Sequence, residues 1–131
     1  MRLPLALYGV VLCIGFAPIV AAQDATKVDS KHYTVISENA QLRIVKVHYG
    51  PHEKSVMHSH PAAVAVFLTD SKARFTFPDG KTQDVTTKAG DAQYTPAVTH
   101  LPENLDDKGM DVILVELKSK PTAKPMKSEM K

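Results

Sequence analysis

The chain has 131 residues, of which 44% are apolar and 23% are charged, as is typical of one globular domain with a substantial core. The formal net charge is only +2 and the chain has no long basic block, which argues against nucleic acid as a partner. The one cysteine, Cys13, lies near the N-terminus, so the chain beyond it has no disulfide, thiolate metal ligand or cysteine nucleophile.

The first 22 residues have the pattern of a secretory signal peptide. Arg2 precedes an apolar run from Leu3 to Val20, and the small residues Ala21 and Ala22 follow it. We expect cleavage after Ala22, a periplasmic or secreted location, and no membrane association after cleavage. An uncleaved membrane anchor is the alternative, because the apolar run is nearly long enough to span a bilayer.

The rest of the chain predicts short strands and no long helix. Residues 23–32 are polar and predict a flexible leader, with His32 at the surface. No apolar stripe at helical spacing is longer than about ten residues, and Asp79-Gly80 is a strong hairpin signal. We expect an all-β domain over residues 33–118, a sandwich or a barrel, followed by a disordered tail over residues 119–131. The predicted strands are 33–37, 41–49, 63–69, 72–78, 82–87, 92–95, 98–101 and 111–118.

Two histidines, His58 and His60, stand two positions apart at the head of an apolar run. In a strand, both imidazoles would point out of the same face, near enough to bind one metal ion. Two unrelated surface histidines would produce the same short pattern. The pair by itself therefore does not establish a site.

A third histidine, His100, lies in a motif of its own. With the first pair it forms a pattern that resembles the small single-domain cupins, over roughly residues 42–117. The matching residues are Gly50, His58 and His60 in the first motif, and Gly90, Pro96, His100 and Asn104 in the second. The resemblance implies a double-stranded β-helix, or jelly-roll barrel, with one divalent metal ion bound by the three histidines. It also makes a homodimer plausible, since cupins commonly pair.

The resemblance is incomplete where the first motif ends. Gly50 is further from His58 than usual, the turn after Pro96 is shorter, and the usual glutamate ligand is replaced by Val64 or Ala65. Counting by twos from His60 predicts that Val64 shares the histidines' face, provided that no bulge follows. Three neutral imidazoles leave a divalent ion its full charge, which favours anionic ligands. Nitrogen ligands also suit iron, zinc, copper or nickel better than magnesium or calcium.

A three-histidine cupin site resembles those of thiol dioxygenases and of the acetylacetone-cleaving dioxygenase, which use Fe(II). The resemblance therefore implies an oxidoreductase acting on a small anionic chelating molecule, with no general acid or base identified. A non-catalytic module that binds metal or ligand, including a relic site, is the alternative. A zinc-dependent hydrolase or isomerase is a third possibility.

Other polar and aromatic residues receive weaker predictions. We expect Val64, Gln93 and Tyr94 to line a pocket, and His48 and His52 to lie at the surface or the rim. Arg43 and Arg74 either clamp an anionic substrate or are solvated. We expect Glu103 to be a solvated loop residue, with a substitute carboxylate ligand as the alternative, and Asn104 to close a turn.

Overall fold

The computed structural model describes residues 23–118, which form one short helix and nine strands. The predicted signal peptide (residues 1–22) and the predicted tail (residues 119–131) lie outside the described residues. Among the described residues, no helix has the length and apolar character needed to span a membrane. The elements are α1 (Ala25–Val28), β1 (Tyr33–Glu38), β2 (Leu42–Tyr49), β3 (His58–His60), β4 (Ala63–Phe67), β5 (Ser71–Thr76), β6 (Thr82–Thr87), β7 (Ala92–Thr95), β8 (Val98–Asn104) and β9 (Met110–Leu117).

The strands form two antiparallel sheets, which confirms the all-β prediction. One sheet has the order β1-β2-β9-β4-β7 and the other has the order β3-β8-β5-β6. Strands that are distant in the sequence are neighbours in both sheets, as in the pairs β2–β9 and β3–β8. The second of these pairs joins the two histidine motifs.

Turns end the strands where the sequence predicted them. Gly80, in the turn between β5 and β6, has a φ of 83°, a conformation that glycine adopts without the strain of a side chain. The side chain of Asn39 accepts hydrogen bonds from the backbone N–H groups of Gln41 and Leu42, closing the turn between β1 and β2. The predicted Asp79-Gly80 hairpin is therefore confirmed.

Alternating side chains from the larger sheet build much of the core. On β2 the buried residues are Val45, Val47 and Tyr49, each two positions from the next. On β4 the alternation is equally regular: Ala63, Ala65 and Phe67 are buried, whereas the residues between them are only partly buried. The apolar run of β4, which predicted a strand covered on both faces, therefore has one buried face.

Residues 23–32, here called the N-terminal segment, fold onto the barrel, so the prediction of a flexible leader is wrong. The side chain of Asp24 caps α1 by accepting a hydrogen bond from the N–H of Thr26, and Ala25 is completely buried. The backbone carbonyls of Gln23 and His32 accept hydrogen bonds from Ser59 and His48. Polar composition indicated a solvated leader, but these polar groups find partners on the barrel.

Candidate metal centre

The pairing of β3 with β8 brings the three predicted ligands together. His58 lies directly opposite His100 in this register, and His60 is two residues further along β3. One ring nitrogen from each of the three histidines lies within 4.8 Å of the others. His58 and His60 are buried and His100 is partly buried. The cluster predicted from the two motifs therefore exists as a spatial arrangement that could hold one metal ion.

Hydrogen bonds orient the rings of His58 and His60. The Nδ1 atom of His58 lies 2.8 Å from the carbonyl oxygen of Val56, and Nδ1 of His60 lies 2.9 Å from Oε1 of Glu116. Because a carbonyl and a carboxylate only accept hydrogen bonds, both Nδ1 atoms carry the proton. The two Nε2 atoms, 3.0 Å apart, then face each other with lone pairs. Two facing lone pairs repel unless a cation lies between them.

His100 contributes an unpaired nitrogen. Its Nε2 atom is buried and has no hydrogen-bond partner among the described residues. The Phe75 ring packs against the His100 ring, with the two ring centroids 4.9 Å apart. A buried polar atom without a partner is costly, and a bound metal ion would satisfy it.

Burial keeps the imidazoles of His58 and His100 uncharged. Desolvation, followed by the electrostatic effect of the neighbouring His60, lowers the pKa of His58 to about 4. Desolvation, followed by the proximity of His60 and His58, lowers the pKa of His100 to about 3. Neutral imidazole is the form that binds metal ions, so His58 and His100 are ready to act as ligands at neutral pH.

A carboxylate absent from the predicted ligand set stands directly behind His60. Glu116 on β9 is 1% exposed, and its Oε2 accepts a hydrogen bond of 2.7 Å from Nε of Arg43. Sequence reasoning missed Glu116. The signal for Glu116 was its position two residues beyond Leu114, on the face of β9 whose other residues are apolar and line the cavity.

A second carboxylate lies behind His58. The hydroxyl of Ser55 is 3.2 Å from Nδ1 of His58 and donates a short hydrogen bond to Asp29. Asp29 also accepts from Nδ1 of His32, at 2.8 Å. His32 is 6% exposed and stacks on Tyr49, so the prediction that it lies at the surface is wrong.

Two of the histidines open onto a cavity of about 350 Å³ between the sheets. Its walls are mostly apolar, and His60 and His100 form part of them. Among the described residues, no Lys, Arg, Asp or Glu lines this cavity. The apolar side chains that line the cavity include Ala65, Phe67, Ala73, Phe75, Phe77 and Met110.

One of the three predicted pocket residues lines the cavity. Gln93 does, but Val64 and Tyr94 face each other on the outside of the sheet, and Tyr94 is 64% exposed. The chain passes from one sheet to the other between His60 and Ala63, and this crossing shifts the inward alternation by one residue. Ala65, the other candidate for the missing glutamate position, therefore faces the cavity.

The remaining predicted residues lie away from the histidine cluster. His48 and His52 are exposed and pair with Asp111 and Asp107, as expected of surface residues. Neither arginine is an anion clamp in the cavity: Arg43 bonds Asp24 and Glu116, and Arg74 bonds Asp84 at the surface. Glu103 lies on β8, opposite Arg74, and is not a ligand. Asn104 is fully buried and donates to the carbonyls of Gly50 and Lys108, which confirms its role in closing a turn.

Comparisons with known proteins address the fold. No family model matches the chain, and no curated protein matches it either. Several solved structures are similar. A cupin domain from Bordetella pertussis is 21% identical, with 66% of this chain and 92% of that chain covered, at a TM-score of 0.62.

Two further structures extend the comparison. A double-stranded β-helix protein from Klebsiella pneumoniae is 21% identical over 67% of this chain and 84% of that chain, at a TM-score of 0.51. The polyketide cyclase RemF from Streptomyces resistomycificus is 17% identical over 68% of this chain and 66% of that chain, also at 0.51. The chain therefore has the double-stranded β-helix fold of the small single-domain cupins, as its two histidine motifs predicted.

Proposed function

We propose that this protein is an exported, metal-dependent dioxygenase in which His58, His60 and His100 hold one divalent transition-metal ion. Its substrate is a small molecule that chelates the ion through an anionic group. The observation that carries the proposal is the convergence of the ring nitrogens. Two Nε2 atoms face each other at 3.0 Å, and the buried Nε2 of His100 has no hydrogen-bond partner within residues 23–118.

The donor set favours particular ions. Three neutral imidazoles suit iron, zinc, copper or nickel, and they contribute no negative charge to the ion. When bound, a redox-active ion such as Fe(II) would supply a Lewis acid and open positions for a substrate anion and oxygen. The residues of the chain hold the ion and orient the rings through Glu116 and the Val56 carbonyl.

The cavity defines how a substrate would be held. Because no described Lys or Arg lines it, the metal ion is the positive group that would hold an anionic head. The apolar walls, including Phe75 and Phe77, would contact an apolar body. A volume of about 350 Å³ limits that body to a small molecule.

No side chain is assigned as a general acid or base. Tyr33 and Tyr49 line the cavity and hydrogen-bond each other at 2.7 Å. Burial raises the pKa of Tyr33 well above its usual value and that of Tyr49 to about 12, so both phenols stay neutral at physiological pH. The Tyr33 ring packs against His58 and His60, with ring centroids 4.8 Å and 5.3 Å apart, and Tyr49 packs against Tyr33.

Metal content tests the ligand set. The wild-type protein is expected to contain about one transition-metal ion per chain, and His100→Ala to lose most of it. His48→Ala is the matched control, because His48 is an exposed histidine that pairs with Asp111. Equal metal content in wild type and His100→Ala, measured by elemental analysis, would refute the three-histidine site.

Oxygen consumption tests the reaction. Iron-loaded protein is mixed with thiols, β-diketones and flavonols, and dissolved oxygen is followed with an electrode. Uptake that depends on one substrate class and disappears in His100→Ala is expected. If no member of the panel causes uptake while the iron remains bound, the dioxygenase proposal is wrong.

A non-catalytic binding module is the second candidate. The absence of a charged side chain from the described cavity lining favours it, since the described lining offers no carboxylate or amine as a general acid or base. Stoichiometric metal or chelator binding without turnover of any substrate would support this candidate.

Export is a separate part of the proposal, supported by the signal-like pattern of residues 1–22. N-terminal sequencing of the protein recovered outside the cytoplasm should begin at Gln23. An intact Met1 in protein recovered from the cytoplasm would argue against export.

A further inference from the structure

We infer that the N-terminal segment is a part of the metal centre. Two chains of hydrogen bonds start at two of the three ligands, orient their rings, and terminate at residues of this segment. The inference rests on the proposed metal site. It assigns positioning roles to Asp29, Ser55 and Glu116, none of which was expected from the sequence motifs. These residues act through the histidines and do not contact the ion.

The first chain runs from His58 to Asp29. Nδ1–H of His58 donates to the Val56 carbonyl and lies 3.2 Å from the Ser55 hydroxyl, which itself donates to Asp29. Asp29 is held in turn by His32, whose Nδ1 lies 2.8 Å from each carboxylate oxygen. The negative charge at the end of this chain favours the Nδ1–H tautomer of His58, with the Nε2 lone pair facing the cluster.

The second chain runs from His60 to Asp24. Nδ1–H of His60 donates to Glu116, and the Arg43 guanidinium bridges Glu116 to Asp24. The Arg43–Asp24 contact is 2.8 Å. Although burial alone would raise it, the hydrogen bonds from Arg43 and Thr26 lower the pKa of Asp24 to about 2, so this carboxylate is charged at neutral pH.

Backbone contacts attach the same segment to the ligand strand. Ser59 stands between the two ligands on β3, and its N–H donates to the Gln23 carbonyl at 2.7 Å. Asp24 forms a parallel bridge with Ser59. Side-chain and backbone contacts from one segment therefore converge on the His58–His60 pair.

His100 provides an internal comparison. Among the described residues, its Nε2 has no hydrogen-bond partner, and its ring is packed against Phe75. The N-terminal segment therefore supports two ligands from one side of the cluster, whereas packing supports the third. Outer partners of this kind commonly change metal affinity by about 10–100-fold when they are removed.

Three variants test the inference without changing a ligand: Asp29→Asn, Ser55→Ala and Glu116→Gln. Asp84→Asn is the matched control, because Asp84 also pairs with an arginine but lies at the surface. Zn(II) and Co(II) affinities are measured by competition with a chromophoric chelator. We expect about 10–100-fold weaker binding in the three variants and no change in the control.

The visible spectrum of the Co(II) form distinguishes ligand orientation from general damage to the fold. Its bands should shift in the three variants and remain as in wild type for Asp84→Asn. Circular dichroism of the metal-free proteins identifies any variant that does not fold. Ser55→Ala is the smallest of the three changes, so it still tests the inference if Asp29→Asn or Glu116→Gln does not fold.

The outcomes separate the inference from the proposed function. If wild type binds Co(II) and the folded variants match Asp84→Asn in affinity and spectrum, the segment is no part of the centre, although the metal site stands. If wild type itself binds neither ion, the proposed metal site is wrong and the inference falls with it.

Discussion

The Nδ1 atom of His60 lies 2.9 Å from Oε1 of Glu116, a residue 56 positions away in the sequence. The carboxylate that is missing from the predicted ligand position is thus present behind a ligand. There it orients the imidazole of His60, while a bound ion would have three histidine ligands and no carboxylate ligand. Arg43 balances the charge of Glu116 from the other side.

Ala65 and Val64 offer a direct test of which residue occupies the missing ligand position. Ala65→Glu adds a carboxylate on the cavity face, so we expect metal affinity to rise by about tenfold or more, equivalent to about 1.4 kcal/mol. Anionic chelators should bind the loaded variant more weakly, because the added charge partly neutralises the ion. Calorimetric titration with Zn(II) measures both effects.

Val64→Glu is the control, since Val64 lies on the other face of β4. Its metal affinity should equal that of wild type. Tighter binding in Val64→Glu than in Ala65→Glu would show that the assigned faces are reversed.

The Arg43–Glu116 pair should contribute strongly to stability in the folded state. Arg43→Met leaves Glu116, which is 1% exposed, without its cation, and the expected loss in the free energy of unfolding is about 3 kcal/mol. Urea denaturation of the metal-free protein measures it. Arg74→Met breaks the exposed pair with Asp84 and should cost at most about 1 kcal/mol. Equal losses in the two variants would contradict the role of burial.

The stability of the metal-free protein should fall as the pH is lowered below the ordinary histidine pKa of 6.5. Burial lowers the pKa of His58 to about 4 and that of His100 to about 3. Between these values and 6.5 the unfolded chain binds more protons than the folded one, so acid favours unfolding. Between about pH 7 and about pH 5, we expect each of the two groups to cost about 2 kcal/mol in the free energy of unfolding, and the two together about 4 kcal/mol, as measured by urea denaturation.

His100→Leu should show a smaller loss of stability over the same pH range, because it removes one of the two groups. An identical pH dependence in wild type and His100→Leu would mean that His100 does not contribute to it.

The cavity wall should control which chelators reach the metal centre. Ala73 is buried and lines the cavity, so Ala73→Leu reduces its volume. We expect weaker binding of a bulky aromatic β-diketone to the Zn(II) form, with metal content unchanged. Tyr94→Ser, on the exposed outer face, should bind like wild type. Fluorescence or absorbance titration distinguishes the two, and equal affinities would show that this cavity is not the binding site.

The sequence predicted eight of the nine described strands and the Asp79-Gly80 hairpin, and its resemblance to the small cupins predicted the cluster of three histidines. These features depend on local properties: side-chain alternation, turn preference, and two motifs whose internal spacing can be counted along the chain. Counting succeeded for His58 and His60 because both lie on one uninterrupted strand. It was wrong for Val64 because the chain changes sheets before β4 and the alternation restarts.

Tertiary structure decided everything behind the ligands. Glu116 meets His60, and Arg43 meets Glu116 across 73 residues of sequence, because β9 pairs with both β2 and β4. Asp29 reaches Ser55 only because the N-terminal segment folds onto the barrel. Such partners are set by strand pairing and by the balance of buried charge. Neither of these produces a repeating pattern of residues that can be recognised in the sequence. The sequence by itself therefore determined which residues form the histidine cluster, whereas the fold determined how they are held.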